Sequence, residues 1–161
     1  MTRPKGTKPE EFSGVYQSYS DIPVRYRLET YADSYQNKET WNDYCSEVLF
    51  AKFDSNHIRD TAKKAGKSWL AHMDARGRHH ALATPLDVDT WSQELMNGNR
   101  NRRTCYEQYF VRIYQFYDYL KQSYQHPHLY NPCLIAAINY ETTRYLWDYR
   151  VDVRPEVRPR E

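Results

Sequence analysis

Residues 104–124 read TCYEQYFVRIYQFYDYLKQSY, a run in which large apolar side chains return every three or four residues. The members of this stripe are Tyr106, Tyr109, Phe110, Ile113, Phe116, Tyr117 and Leu120. A stripe this wide along one helical face is typical of a helix that other helices surround. Pro127 ends the pattern, because proline cannot continue the interior of a helix. The run therefore predicts a long helix at the centre of the core.

The start of this helix carries an anion-binding pattern. Thr104 and Glu107 have the spacing of a capping box, in which the threonine oxygen accepts from the N3 amide and the glutamate reaches back to the cap amide. Arg102 and Arg103 stand just before that cap. Unpaired amides at a helix start favour an anion, and two guanidinium groups add to the attraction. We expect Arg102, Arg103 and Thr104 to hold a phosphate group.

Three further helices are predicted on either side of the central one. Apolar periodicity over 59–76 ends at Gly77, a residue suited to the C′ position. Thr84-Pro85 and Asn131-Pro132 each place an N-cap residue before a proline at N1, which predicts helices over 85–96 and 132–150. No run alternates with period two for long enough to form a strand. The expected fold is all-α: a four-helix bundle preceded by an additional helical extension.

The four helices are expected to share one core within a domain that spans residues 58–151. Its predicted members are Trp69, Trp91, Phe110, Ile113, Phe116, Leu120, Ile135 and Ile138. Outside this domain we expect a flexible tail over 1–20, a helical extension over 21–57 and a linker over 152–161. The extension is predicted to contain a short helix that starts at Pro23 and a second helix over 38–53.

The composition limits the classes of protein to which this chain can belong. The chain has 161 residues and a mean hydropathy of −0.98, and its 16 tyrosines supply rings that pack while their hydroxyl groups stay hydrated. No run approaches the roughly 20 apolar residues of a membrane span, and residues 1–20 lack the apolar centre of a signal peptide. The three cysteines, Cys45, Cys105 and Cys133, form no close pair, which argues against a disulfide framework. We expect a cytoplasmic domain with no cofactor and no membrane contact.

Positive charge is concentrated in the middle of the chain. Residues 59–121 hold 11 Lys and Arg against seven Asp and Glu, although the net charge of the whole chain is only +2. The basic residues cluster at two predicted turns, one with Arg76, Arg78, His79 and His80 and the other with Arg100, Arg102 and Arg103. Two interpretations are open: a solvated surface, or a basic edge that meets nucleic acid. The composition of the 1–20 tail favours disorder over an arm that clamps DNA.

Catalytic and metal-binding patterns are weak. His79-His80 and His126-Pro127-His128 are dense in histidine, but no third ligand stands at the i, i+4 spacing of a helical zinc site. Turn histidines that contact backbone or phosphate are favoured over a zinc site. No phosphate-binding glycine loop and no nucleophile elbow occur, and Asp87 and Asp89 have the position of ordinary capping residues. The sequence therefore indicates no catalytic set and no metal site.

Residues 61–151 resemble the core-binding, SAM-like N-terminal domain of tyrosine recombinases and phage-type integrases. The resemblance rests on Arg76-Gly77, on Thr84-Pro85-Leu86-Asp87-Val88, on Arg103-Thr104 followed by the aromatic stripe, and on Tyr130-Asn131-Pro132. It implies a four-helix domain that grips one face of a DNA recombination half-site. The helices over 84–96 and 132–151 would then lie across the major groove, with the basic turns on phosphates.

The resemblance implies that this chain binds DNA without cleaving it. The family's catalytic domain needs far more chain than follows Val151, and His57-Ile58-Arg59 lacks the two-residue gap that the family places between its histidine and arginine. The residues expected to meet double-stranded DNA are Arg78, His79, His80, Gln93, Arg100, Arg102, Arg103, Thr104, Asn139 and Arg144. Phosphate contacts are expected from the basic turns, and base selectivity from Gln93, Asn139 and Arg144.

Two function classes follow from these observations. The leading expectation is a DNA-binding module of recombination or integration, associated with the nucleoid and accompanied on DNA by other protomers. The alternative is a helical protein–protein interaction module that uses exposed tyrosines and tryptophans as anchors. Salt-dependent binding to duplex DNA distinguishes the two, because only phosphate contacts release counterions.

Overall fold

The computed structural model describes residues 7–152, and every regular element within that range is helical. The all-α fold class is therefore confirmed. In chain order the helices are α1 (Ala32–Tyr35), α2 (residues 40–52), α3 (Asn56–Ala75), α4 (Pro85–Asn97), α5 (residues 102–122), α6 (Pro132–Asn139), α7 (Glu141–Trp147) and α8 (Tyr149–Asp152). Four 3₁₀ turns precede them, at Pro9–Glu11, Tyr19–Asp21, Val24–Tyr26 and Leu28–Tyr31. Both α2 and α5 contain a π-helical turn, at Cys45–Leu49 and at Cys105–Phe110.

Helix α5 lies at the centre of the fold, as its apolar stripe predicts. It packs against α3 on one side and α6 on the other. Phe110, Ile113 and Phe116 are fully buried along it. Ring contacts extend the same core across the fold, since Phe116 packs edge-on against Trp41 of α2 at 5.2 Å between ring centroids. Burial of these large side chains is the main stabilising contribution to the fold.

The predicted cap of α5 is wrong. Asn101 is the N-cap, and its side-chain oxygen accepts from the Thr104 amide at 2.9 Å. Thr104 itself lies inside the first turn, and Glu107 accepts from Arg103 at 3.1 Å instead of reaching back to a cap amide. Asparagine is at least as good an N-cap as threonine, so the helix begins three residues earlier than the Thr104–Glu107 spacing predicts.

Helix α4 begins and α3 ends on the residues that the sequence indicates, whereas α3 begins at Asn56, before the predicted residue 59, because the Ser55 side chain caps it by accepting from the Ile58 amide. Gly77 ends α3 with φ of +73°, the left-handed region that glycine tolerates best. Thr84 caps α4, with its hydroxyl oxygen 3.2 Å from the Asp87 amide and the Asp87 carboxylate 2.8 Å from the Thr84 amide. This reciprocal pair is the capping box of the fold, and it fixes the turn that joins α3 to α4.

The last predicted helix is interrupted, contrary to the expectation of one helix over 132–150. Tyr140 is extended, with φ of −129° and ψ of 137°, and it separates α6 from α7. The new helix start leaves amides without an intrahelical acceptor. Asp89 of α4 supplies one, because its carboxylate accepts from the Thr143 amide at 3.1 Å and from the Thr143 hydroxyl at 2.8 Å. The Asp89 carboxylate of α4 therefore caps the start of α7, and this cap compensates for the interruption at Tyr140.

The described part of the expected tail, residues 7–20, packs against the last helices. Trp147 donates its indole N–H to the Thr7 carbonyl at 2.9 Å, and Phe12 meets the same indole edge-on at 5.7 Å. Pro9 is buried beside α6. The composition of residues 7–20 predicts a tail, because local composition carries no sign of partners that lie more than 100 residues further along the chain. The remainder of the tail, residues 1–6, and the linker over 153–161 lie outside the described residues.

The helical extension over 21–57 also differs from its prediction. The helix expected at Pro23 is a pair of 3₁₀ turns, whereas the helix over 38–53 is present as α2. Of the eight predicted core residues, seven are buried, namely Trp69, Trp91, Phe110, Ile113, Phe116, Leu120 and Ile135. Ile138 is only partly buried, because α6 ends one residue later and turns away from the core. Across residues 7–152 no helix has the length and apolar character needed to cross a bilayer.

Candidate functional site

The strongest surface feature is a groove along the exposed face of α3. Lys64, Lys67 and Arg100 line one part of it, a concavity of about 500 Å³. Lys63 and Lys64 line the adjoining part, of about 600 Å³, which Gln108 of α5 closes on the other side. Lys64 lines both parts, so the two adjoin along α3. We call the two parts together, defined by Lys63, Lys64, Lys67 and Arg100, the basic groove.

The cations of the basic groove are not neutralised by carboxylates of residues 7–152. Lys64 donates to the amide oxygen of Gln108 at 3.0 Å, a neutral partner. The Arg100 guanidinium lies over the ring of Tyr109 at 4.6 Å, a cation–π contact that orients it and leaves its charge in place. No ion pair within this part of the chain involves Lys63, Lys64, Lys67 or Arg100. The groove therefore presents net positive charge to solvent.

Two acids border the groove, Glu94 in the first part and Asp60 in the second. Glu94 is engaged by the buried His72 ring, whose Nδ1 lies 2.7 Å from its Oε2. Four cations against two acids leave the positive sign dominant. Tyr109 is the one Phe, Tyr or Trp among the described lining residues, and it is only 6% exposed. The groove thus offers charge and hydrogen-bond donors, and the ring of Tyr109 is too buried to serve as a stacking surface.

A second concavity adjoins the groove across Ala71, which lines both. It measures about 390 Å³ and contains Arg78, His79 and His80, three of the residues predicted to meet DNA. The Arg78 guanidinium is held by the buried Asp87 carboxylate at 2.7 Å. The two histidine rings stack on each other at 4.1 Å between centroids. The fold therefore places this predicted trio in a concavity that shares Ala71 with the part of the groove lined by Arg100.

Burial changes the character of the two histidines. Burial, with a smaller contribution from the neighbouring His79, lowers the pKa of His80 to about 3. The pKa of His79 is also lowered, mainly by burial and in part by Lys38. Both rings are therefore neutral near pH 7, and they contribute hydrogen-bonding groups without positive charge. The positive character of this face comes from its lysines and arginines.

Arg102 does not occupy the phosphate-binding position that the sequence predicts. Its guanidinium donates twice to the Tyr145 carbonyl, at 3.0 and 2.6 Å, and lies 3.9 Å above the Tyr145 ring. It also pairs with Asp152 at 3.1 Å, and its side chain is only 14% exposed. Arg102 thus joins the start of α5 to α7 and α8. The sequence could not show this, because both partners lie more than 40 residues away.

Arg103 remains at the surface, with a side chain that is 68% exposed and paired with Glu107 one turn later. Thr104 is partly buried within the first turn of α5. The three residues expected to hold one phosphate therefore have different environments. Arg102 is bonded within the chain, Arg103 is exposed, and Thr104 lies inside the helix.

The residues expected to read bases also have partners within the chain. Gln93 donates to the Asp89 carboxylate at 2.8 Å. Asn139 donates to the carbonyls of Gln17 and Ile135 at 2.8 and 2.9 Å. Arg144 pairs with Glu10 at 3.5 Å and Asp148 at 3.2 Å. Two of these three, Asn139 and Arg144, thus lie against the N-terminal segment of residues 7–20.

Sequence reasoning missed Lys63, Lys64 and Lys67. The signal was present, because residues at i, i+1 and i+4 share one side of a helix, and the apolar stripe of α3 lies opposite. Among the described residues, no group of three or more His, Cys, Asp or Glu side chains is arranged to hold a metal ion.

Comparison of the chain with family models, curated proteins and solved structures finds no match.

Proposed function

We propose that this chain is a DNA-binding module that grips the phosphate backbone of duplex DNA through the basic groove. The observation that carries the proposal is the set of four cations, Lys63, Lys64, Lys67 and Arg100, that line one groove with no carboxylate partner in residues 7–152. A polyanion gains affinity at such a site by releasing the counterions condensed on its phosphates. The resemblance to the recombinase core-binding domain supports a role in DNA recombination or integration.

The chemistry of the groove favours backbone contacts over base reading. Lysine acts as a point charge toward phosphate, and Arg100 is oriented by its contact with Tyr109. Base recognition in single strands depends on exposed aromatic rings, and the buried Tyr109 does not offer one. We therefore expect duplex binding that depends weakly on sequence when this chain acts alone. In keeping with the resemblance, the module performs no strand cleavage.

The test is the triple variant Lys63→Ala, Lys64→Ala and Lys67→Ala, measured for affinity to a short duplex at several salt concentrations. Each phosphate contact contributes about 0.9 to the slope of log affinity against log salt, so the triple variant should flatten the slope by up to about three units. The matched control replaces Lys8, Lys52 and Lys121 with alanine. These three lysines are exposed, lie outside the groove and carry the same total charge.

The outcomes separate the groove from general positive charge. A loss confined to the groove variant supports the proposal. Equal losses in both triple variants would show that net charge alone is responsible, and the groove would then not be the site. Absence of salt-dependent duplex binding in the unmodified chain would instead favour the helical protein-interaction module.

A further inference from the structure

Four of the six histidines lie together where residues 35–41 meet the core. Three hydrogen bonds connect residues 35–41 to parts of the described chain beyond α2, and each uses a histidine ring. The Trp41 amide donates to His80 Nε2 at 3.0 Å, and His79 Nε2 donates to the Lys38 carbonyl at 2.8 Å. The third joins the Tyr35 hydroxyl to His126 Nδ1 at 2.5 Å.

Ring packing completes the cluster. Tyr35 is the central ring, with centroid distances of 5.4 Å to His79, 5.8 Å to His126 and 6.0 Å to His128. His128 is itself buried, and its Nε2 donates to the Ala81 carbonyl at 2.7 Å. We call Tyr35, His79, His80, His126 and His128 the histidine cluster.

The surroundings of three rings in the histidine cluster, His79, His80 and His128, favour the neutral form. His80 accepts from the Trp41 amide through Nε2, so a proton there would place two donors against each other. His79 Nδ1 accepts from the Ala81 amide at 3.0 Å while its Nε2 donates, so it too has no position for a second proton. His128 Nδ1 is buried with no hydrogen-bond partner, and protonation would add a buried charge without an acceptor.

The charged and titratable groups around the cluster do not favour its protonation as a whole. Burial is the largest cause of the lowered pKa of both His79 and His126. The Lys38 ammonium, 5.0 Å above the Tyr35 ring, lowers both pKa values as well, whereas the hydrogen bond to the Lys38 carbonyl raises the pKa of His79. Asp43 acts the other way on His126. Burial lowers the pKa of His128 to about 4. The other titratable or charged groups near the cluster are Tyr31, Tyr117, Tyr119, Asp74 and Arg78, the last of which is paired with Asp87.

We propose that the histidine cluster is an acid-sensitive latch. It holds the backbone of residues 35–41 against the loops over 77–83 and 123–130 at neutral pH, and protonation of its rings releases that backbone while the Trp41 indole stays packed against Gly66 and Phe116. The loop over 77–83 has other supports, since the His80 carbonyl accepts from Trp69 and from Tyr117, both at 2.8 Å. Protonation therefore releases the backbone of residues 35–41 and leaves the loop over 77–83 in place.

The direction of the pH dependence follows from the histidines. A ring whose pKa is lower in the folded chain than its ordinary 6.5 contributes stability that is complete above pH 6.5. That stability is lost as pH falls from 6.5 toward about 4 for His128 and about 3 for His80. Each proton taken up on release raises the opening equilibrium about tenfold per pH unit in this window.

Hydrogen exchange measured on the unmodified chain tests the latch. Protection should fall at the amides of residues 35–41 between about pH 6.5 and about pH 4.5, by roughly a hundredfold per proton taken up after correction for intrinsic rates. The amides of 111–122 in α5 should keep their protection over the same range. Equal loss in both segments, or no loss in 35–41, overturns the proposal.

A variant identifies the histidines as the cause. His80→Gln keeps an acceptor for the Trp41 amide in a side chain that does not titrate, and His128→Gln removes the buried ring. The double variant should lose most of the pH dependence of exchange at 35–41. His57→Gln, an exposed histidine outside the cluster, is the matched control and should behave as the unmodified chain. Full pH dependence in the double variant would refute the assignment, and the single variant His80→Gln decides the matter if the double variant does not fold.

Discussion

The indole of Trp41 lies directly on the backbone of Gly66. A Cβ atom at residue 66 would lie 2.6 Å from Cε2 of the indole and closer still to Nε1. Gly66 is in the middle of α3, where glycine disfavours a helix by about 1 kcal/mol relative to alanine. Its presence there is explained by this contact, which brings α2 against α3 and places Trp41 between Gly66 and Phe116.

We therefore expect Gly66→Ala to destabilise the chain although alanine is the better helix former. Trp41 is 5% exposed and rigid, so the overlap cannot be relieved by a flexible chain end. Overpacking of this kind costs about 1–3 kcal/mol in the free energy of unfolding. Urea denaturation measures the change.

A Trp41→Ala background provides the control for this prediction. Without the indole, alanine at residue 66 has space and should stabilise α3 by about 1 kcal/mol. The effect of the Gly66 substitution should thus change sign between the two backgrounds. The same sign in both would show that the Trp41 contact is not the reason for the glycine.

Asp87→Ala should lower the free energy of unfolding by roughly 2–4 kcal/mol, through loss of a cap and of charge-assisted hydrogen bonds. The Asp87 carboxylate is fully buried and accepts from the Thr84 amide, Arg76 and Arg78. Asp148→Ala removes a surface partner of Arg144 and should cost less than about 1 kcal/mol. Similar costs for the two variants would contradict the structural role of Asp87.

The pH dependence of this contribution has a definite sign. Burial raises the pKa of Asp87, but the Thr84 amide, Arg76 and Arg78 together outweigh burial and hold the pKa below its usual 3.8. A lowered carboxyl pKa contributes stability that is present above pH 3.8 and is lost as pH falls through the folded-state value. Below that pH, the difference in stability between the unmodified chain and Asp87→Ala should therefore shrink.

The parts of the fold that depend on local pattern were predictable. The stripe of α5, the Thr84-Pro85 start of α4 and the Gly77 end of α3 all depend on residues within a turn or two of each other. The break at Tyr140 was not predictable, because its acceptor is Asp89, more than 50 residues away. The docking of residues 7–20 was unpredictable for the same reason, since Trp147 and Thr7 are 140 residues apart.

The candidate site also has one part that local sequence predicts and another that depends on tertiary contacts. A basic middle segment is visible in the sequence, but the pairing of each cation is a tertiary property. Arg78 and Arg102 are charged residues at turns, which the sequence presents as available, and the fold uses both internally. Lys64 and Lys67 resemble an ordinary solvated helix face until α5 places Tyr109 opposite and Arg100 closes the groove.

Phe116→Ala should cost roughly 3–5 kcal/mol in the free energy of unfolding, the usual range for a fully buried aromatic ring. Phe116 is fully buried and touches the rings of Trp41, Tyr44, His80 and Tyr117. The control is Tyr124→Ala, at a side chain that is wholly exposed and should contribute little. A loss under about 1 kcal/mol for Phe116→Ala would place this ring outside the core.

Arg102→Ala should destabilise the chain and Arg103→Ala should not, although the two arginines are neighbours. Arg102 loses two hydrogen bonds to the Tyr145 carbonyl, the contact with the Tyr145 ring and the ion pair with Asp152, so its removal should cost about 1.5–3 kcal/mol in unfolding free energy. Arg103 makes only an exposed pair with Glu107, and its removal should leave stability nearly unchanged.

The affinity of Arg102→Ala for duplex DNA provides a second test of the internal role of Arg102. Arg102→Ala should leave the salt slope of DNA binding as it is, because a guanidinium already engaged by a carbonyl and a carboxylate releases no counterions from DNA. A slope reduced by about one unit in a well-folded Arg102→Ala variant would return this residue to the DNA interface and restore the phosphate-binding role that its sequence context predicts.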